Sequence, residues 1–353
     1  MSILQSARPA EPGILLQDDM TIRDGKRRSL GRWVRAIISI ALIVLVFVNL
    51  DTDELGRYLK NVSFAAILAL VAIDLALRIL SAFRWQVLYR STNPSSAFAE
   101  IVRITFVSSF LGQAMPGVIG VEALRIYSLA KSKTDFPGAF ASVIADRMFG
   151  LMSLGLVILL GMLIGPGELR ELMLIPVLLT LALLAAIIVA VAWPVSRHFL
   201  ESAFPSAFIL KIRTWIDKVY HCFDAYRARP RLIVWSLVLS VLFQLGRVAL
   251  FYAAALLIGE SPDFVYFLAI VPVVMFASLM PISISGLGVR EASLVLLFTQ
   301  FHVMGSAPSF TVALLVFVSG LLSTLPGGWF YARQRQQVDE LIKHSNESSG
   351  AAS

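Results

Sequence analysis

The chain has 353 residues, of which 58% are hydrophobic and only 15% charged, and it carries a net charge of +7. Soluble domains are about half apolar and about a quarter charged, so this composition, with a mean hydropathy of +0.79, excludes an ordinary soluble enzyme and marks a polytopic α-helical membrane protein. The basic excess calls for no nucleic-acid partner, because Lys and Arg fall where membrane topology places them.

The one cysteine, Cys222, excludes an intramolecular disulfide and a CxxC site, and His198, His221, His302 and His344 are scattered without ligand spacing. No metal and no cofactor is expected. There is no GxxxxGK[ST] string, so ATP hydrolysis by this chain is not expected either.

Residues 1–31 are polar, contain Pro9 and Pro12, and read as a disordered cytoplasmic tail. Lys26, Arg27, Arg28, Arg32 and Arg35 flank the first apolar run, Val34 to Leu50. That run is long for a signal-peptide core, and Asn49-Leu50-Asp51 lacks a small-x-small cleavage site. It is read as the first span, with its N-terminus inside. An acidic loop follows, and the second span covers about Val62 to Phe83, emerging inside at Arg84, Trp85 and Arg90.

Phe98 to Ala130 is apolar but breaks at Met115-Pro116-Gly117, and it starts and finishes among inside charges, ending at Arg125, Lys131 and Lys133. One spanning helix cannot do this, so the stretch is expected to be a re-entrant hairpin. Broken backbone at membrane depth is tolerated only in a protein-lined or wet site. The third span runs over about Phe136 to Ile164 and the fourth over Leu172 to Trp193.

Residues 197–231 are basic, with apolar residues at helical spacing, as in an amphipathic helix on the cytoplasmic leaflet or a connecting helix packed on the bundle. The fifth span is Leu232 to Ile258. Phe264 to Phe301 forms a second hairpin entered from outside, and the last span is Phe310 to Tyr331, followed by Arg333, Arg335 and a cytoplasmic tail over 336–353.

The expected fold is therefore an all-α integral membrane bundle occupying 32–335, with six full spans and two re-entrant hairpins. Two units, 34–165 and 170–332, form inverted repeats of span, span, hairpin, span. If the hairpins crossed fully there would be eight plain spans, and the positive-inside bias would fail around Lys131 and Lys133.

The two hairpins match in sequence: Met115-Pro116 answers Met280-Pro281, Ile119 answers Ile284, and Gly120 answers Gly286. Pro116, Gly117, Gly120, Pro281, Gly286 and Gly288 permit sharp turns and are candidate gate residues. Ionisable groups inside spans are costly and mark sites or pairs. Asp74 and Arg78 sit four apart on the second span, and Gln244 and Arg247 hold the matching place on the fifth. Asp146 and Arg147 lie in the third span, Glu122 and Arg125 leave the first hairpin, and Arg290 and Glu291 follow the second break.

Together these residues make a polar track between apolar walls. Arg78, Arg125, Arg147, Arg247 and Arg290 suit a lipid phosphate, because a guanidinium binds it with two parallel hydrogen bonds. Glu122, Asp146 and Glu291 would orient the arginines or meet a cationic headgroup. Paired acids and arginines would also simply hold helices together. Asp51-Thr52-Asp53-Glu54 resembles the Asp-x-Asp signature of glycosyltransferases, which gives an alternative reading as a membrane glycosyltransferase using a polyprenyl-phosphate sugar. An N-cap for the following helix explains the same acids.

The strings "RWQVL", "MPGVIGVEALRIYSL", "ASVIADRMFGL" and "PISISGLGVREA" make the chain resemble the flippase-like family of the lysylphosphatidylglycerol synthase transmembrane region, over about Arg32 to Arg335. Members commonly carry Gly-Gly and an acid after the Pro-Gly, where this chain has Ile119-Gly120-Val121-Glu122. The resemblance implies a bacterial inner-membrane protein that moves or handles lipids. With the charge pattern placing both termini in the cytoplasm and no catalytic or ATP-binding motif, the expectation is a non-enzymatic lipid flippase without ATP hydrolysis. In the bifunctional synthases this region flips an aminoacylated phosphatidylglycerol made by an attached soluble domain, which is expected to be lacking here. Stand-alone relatives are associated with hopanoid, cardiolipin-like or glycolipid pathways. The expected partners are membrane lipids (phospholipid, aminoacyl-lipid, hopanoid or polyprenyl-linked glycolipid), with a lipid-modifying enzyme or a second copy of the chain as protein partners. A further alternative is a non-transporting accessory protein of lipid modification, recruited through Arg197–Arg231.

Overall fold

Short polar caps start the two helices that follow Leu50. The Asp51 carboxylate accepts from the backbone N–H groups of Asp53 and Glu54, both at 3.0 Å, and Thr52–Asn61 forms α1. Ser63 accepts from the Ala66 N–H at 3.1 Å and opens α2, Phe64–Tyr89. The computed structural model describes residues 50–91, 93–113, 118–133, 136–192, 226, 229–279 and 286–333, with scattered positions between 38 and 48.

Four helices are long and apolar enough to cross a bilayer: α2, α5 (Phe136–Ile164), α7 (Pro230–Leu257) and the last, Ser306–Arg333. The last begins as α10, Ser306–Leu322, and bends at Ser323 and Thr324. Pro326 offers no N–H to Leu322, and the Thr324 N–H turns back to the Leu321 carbonyl at 3.1 Å. A further apolar helix of 23 residues, α6 (Arg170–Ala192), follows α5.

Between these lie four shorter helices: α3 (Phe98–Gln113), α4 (Val118–Lys133), α8 (Phe264–Ser278) and α9 (Val289–Gln300). Their lengths of 16, 16, 15 and 12 residues fall short of the roughly 20 needed to span a bilayer. Each broken segment is thus a pair of half-length helices, as a re-entrant hairpin requires.

The helix contacts repeat. In the first unit α2 packs on α3, α3 on α4, α4 on α5 and α5 back on α2; in the second, α7, α8, α9 and α10 close the same ring. The units join where α2 lies along α7, with α5 against α7 answered by α10 against α2. Close glycine contacts complete the match. A Cβ on Gly161 of α5 would come within 2.9 Å of Ala269 Cα on α8, and one on Gly327 of the last span within 2.1 Å of the Phe106 carbonyl on α3.

The outer surface is apolar as well as the core, and charges are buried. Leu174, Ile175 and Leu178 of α6, and Val234, Trp235 and Val238 of α7, are exposed, whereas Asp74, Arg84, Arg125, Asp146 and Glu291 are buried. Such a surface suits hydrocarbon, and the charges turn inward, away from it. At one end, Tyr58 of α1 donates a hydrogen bond to Glu260 beyond α7, which with partial burial pushes the Tyr58 phenol up to about 12.

One boundary differs from the expectation. The second span does not end at Phe83, because α2 continues to Tyr89, with Trp85 fully buried and Arg84 only 6% exposed. Arg84 is retained inside because Asp146 on α5 meets it there. The first span over 34–50, the basic segment over 197–231, and Pro116, Gly117 and Pro281 lie wholly or largely outside the described residues.

The two glycine contacts should carry stability. Gly327→Ala, whose new methyl meets backbone, is expected to cost about 1–3 kcal/mol in thermal unfolding of the detergent-solubilised protein. Gly167→Ala, which meets nothing within 4 Å, should leave the transition in place.

Candidate functional site

The helix arrangement gathers the intramembrane charges around one cavity of about 540 Å³ between the two units. Asp74, Arg78 and Arg84 reach it from α2, Arg125 from α4, Asp146 and Arg147 from α5, Arg247 from α7 and Arg290 from beside the second hairpin break. Glu122 and Glu291 stand behind it as partners of lining arginines.

Each acid is engaged. Asp146 receives Arg84 Nε at 2.7 Å and lies 3.6 Å from Arg125 Nη1. Asp74 pairs with Arg78 Nε at 3.1 Å along one face of α2, as their spacing of four predicts, and also accepts from the Ser323 hydroxyl. Glu122 holds Arg147. Glu291 takes Arg290 Nε at 3.0 Å on one oxygen and the Gly288 N–H at 2.8 Å on the other. The start of α9 is thereby fixed, and just before it Gly286 and Gly288 have φ of 78° and 82°, a backbone region that a side chain would strain.

The bend in the last span contributes directly. Because the Thr324 N–H turns to Leu321, the Gly320 carbonyl is free to accept from Arg78 Nη2 at 2.8 Å, and Arg78 Nε also reaches Ser323 Oγ at 2.7 Å. Aromatic faces support three of the other guanidinium groups: Trp85 lies 5.2 Å from Arg125, Phe243 5.4 Å from Arg84 and Phe317 5.7 Å from Arg290.

All nine charged residues singled out in the sequence therefore converge, seven on the cavity wall and two as their partners. Asp146 and Arg147 do not pair with each other. Neighbours on a helix point about 100° apart, so one side chain meets Arg84 and Arg125 while the other meets Glu122. Arg103 is exposed and takes no part, and Gly120 lies in the first turn of α4.

Sequence reasoning missed Arg84, read as a flanking charge, and Ser323. An Asp146 without an obvious cation on its own helix face was the signal for the first. Asp51 and its neighbours lie in the α1 cap, and Asp51 Oδ1 accepts both cap hydrogen bonds.

Residues 32–329 match the family model described as lysylphosphatidylglycerol synthase TM region. The chain belongs to this family. It is also similar to UPF0104 membrane proteins. It is 26% identical over 305 residues to one from Methanothermobacter thermautotrophicus, covering 80% of this chain and 87% of the relative. It is 20% identical over 311 residues to one from Methanocaldococcus jannaschii, covering 82% and 91% respectively. The chain is thus a multi-pass membrane protein of this family, with its buried charges collected around one interior cavity.

Asp146 should be the residue whose loss disturbs this site most, because it is the carboxylate that Arg84 and Arg125 share. Asp146→Ala is expected to destabilise by about 3–5 kcal/mol, and adding Arg84→Met should recover part of the loss. Asp51→Ala should cost only about 1 kcal/mol, the value of a helix cap. Chemical unfolding of the three variants in one detergent would measure the difference.

Proposed function

We propose that the chain is a lipid translocator of the cytoplasmic membrane, moving a lipid headgroup between leaflets without ATP hydrolysis and without chemistry on the lipid. The observation that carries this reading is a cavity lined by six arginines inside a bundle whose outer surface is apolar. A headgroup in such a cavity leaves water while its acyl chains stay in hydrocarbon, and guanidinium groups replace its hydration.

The hairpin helices supply the moving parts in this proposal. α4 and α9 each bring one arginine to the cavity at the same distance past their Met-Pro pair, Arg125 ten residues beyond Met115 and Arg290 ten beyond Met280. A shift of either hairpin against its unit would open the cavity to one leaflet. The positive-inside distribution of Lys and Arg supports both termini in the cytoplasm. The cap geometry of Asp51 supports a structural role for that acidic loop rather than sugar-donor binding.

The test uses the purified chain in liposomes carrying fluorescent phospholipids, with leaflet accessibility followed over time. Wild type is expected to speed transbilayer movement at least tenfold over protein-free liposomes, and Arg290→Ala to remove most of that gain. Folded protein that moves no lipid would contradict the proposal.

A further inference from the structure

Resting on that reading of the same cavity, we infer that its ligand is a doubly charged phosphate group, a phosphomonoester or diphosphate, and not a zwitterionic or aminoacylated headgroup. The argument is one of charge. Six arginines line the cavity, and the four carboxylates at or behind its wall are Asp74, Asp146, Glu122 and Glu291. Two positive charges are left over, and they can be located.

Arg247 makes no ion pair among the described residues, and its Nη2 has only the Met275 sulfur, a weak acceptor, at 3.0 Å. Arg125 is the other. It shares Asp146 with the closer Arg84, and its Nε is buried with no acceptor, on a residue only 7% exposed. The neighbouring stretches outside the described residues, 114–117 and 280–285, contain no charged residue to balance them.

An unbalanced buried cation is costly, and two beside one cavity are rational if an entering group brings two negative charges. Guanidinium forks on Arg125 and Arg247 would meet its oxygens. A cationic headgroup would instead require a free carboxylate, and all four are already held by arginines. A single phosphodiester would balance only one of the two.

The experiment measures binding by the full-length protein in nanodiscs of phosphatidylcholine. Titrated probes are phosphatidic acid, phosphatidylglycerol, lysylphosphatidylglycerol and, as soluble forms, glycerol 3-phosphate and inorganic phosphate. Phosphatidic acid is expected to bind at least tenfold more tightly than phosphatidylglycerol. Its affinity should fall several-fold from pH 8 to pH 5, as the second phosphate charge, with a pKa of about 6, is lost while arginine stays charged.

Met275→Glu, which places a carboxylate beside Arg247, should abolish the preference for the dianion without unfolding the protein. Arg247→Gln should act in the same direction. Binding of glycerol 3-phosphate as tight as that of phosphatidic acid would assign the site to a free phosphate compound, and much weaker binding would assign it to a lipid. Equal or tighter binding of lysylphosphatidylglycerol, or a dianion preference that survives Met275→Glu, would overturn the inference. Because this is a binding measurement, a selective site in a protein that moves no lipid would refute translocation and leave the inference standing.

Discussion

The ion pair between Arg84 and Asp146 is the contact on which the rest of the interior depends. At 2.7 Å, with both side chains almost fully buried, it joins α2 to α5 and closes the first unit into a ring. Asp146 also draws in Arg125 from α4, so one carboxylate sets the position of three helices. These groups are almost fully buried, and a buried charge left without its partner is far more costly than one at a soluble surface. The pair thus fixes the geometry around which the other arginines are arranged.

Symmetry and charge follow different patterns. The backbone repeats: matching rings of helices, matching half-length hairpins, and matching glycine contacts at Gly161 and Gly327. The arginines repeat only in part. Arg78 and Arg247 hold corresponding places on α2 and α7, and Arg125 and Arg290 on α4 and α9, but Arg84 and Arg147 belong to the first unit alone. The acids are asymmetric too. Asp74 pairs directly with Arg78, whereas Arg247 at the matching place has no ion pair among the described residues and hydrogen-bonds the Met275 thioether. In the proposed translocator, a repeated scaffold with unequal charge would give a headgroup distinct surroundings on its two sides.

Most of the architecture was legible in the sequence because a bilayer imposes simple demands. Length and apolarity identified α2, α5, α7 and the last span, and the Met-Pro breaks identified both hairpins. The Asp74–Arg78 pair followed from a spacing of four on one helix. What was not legible depends on partners distant in sequence. Arg84 looked like an interfacial charge because nothing local reveals Asp146 on a neighbouring helix. Asp146 and Arg147 looked like a couple because they are adjacent, whereas helical geometry sends them to different elements. The bend at Ser323 had a local cause in Pro326, but its purpose, freeing the Gly320 carbonyl for Arg78, exists only in the packed bundle.

The central claim is that the cavity is wet and opens to each leaflet in turn. With Cys222, the one native cysteine, replaced by serine, a single cysteine can be placed on the cavity wall as Ser278→Cys, and in a second variant as Ser109→Cys. Alkylation by a membrane-impermeant thiol reagent, applied separately to each face of oriented vesicles, then reports access. The account predicts reaction from both faces, slowed when phosphatidic acid is present. Reaction from one face only, or from neither, would describe a closed structural core and contradict it.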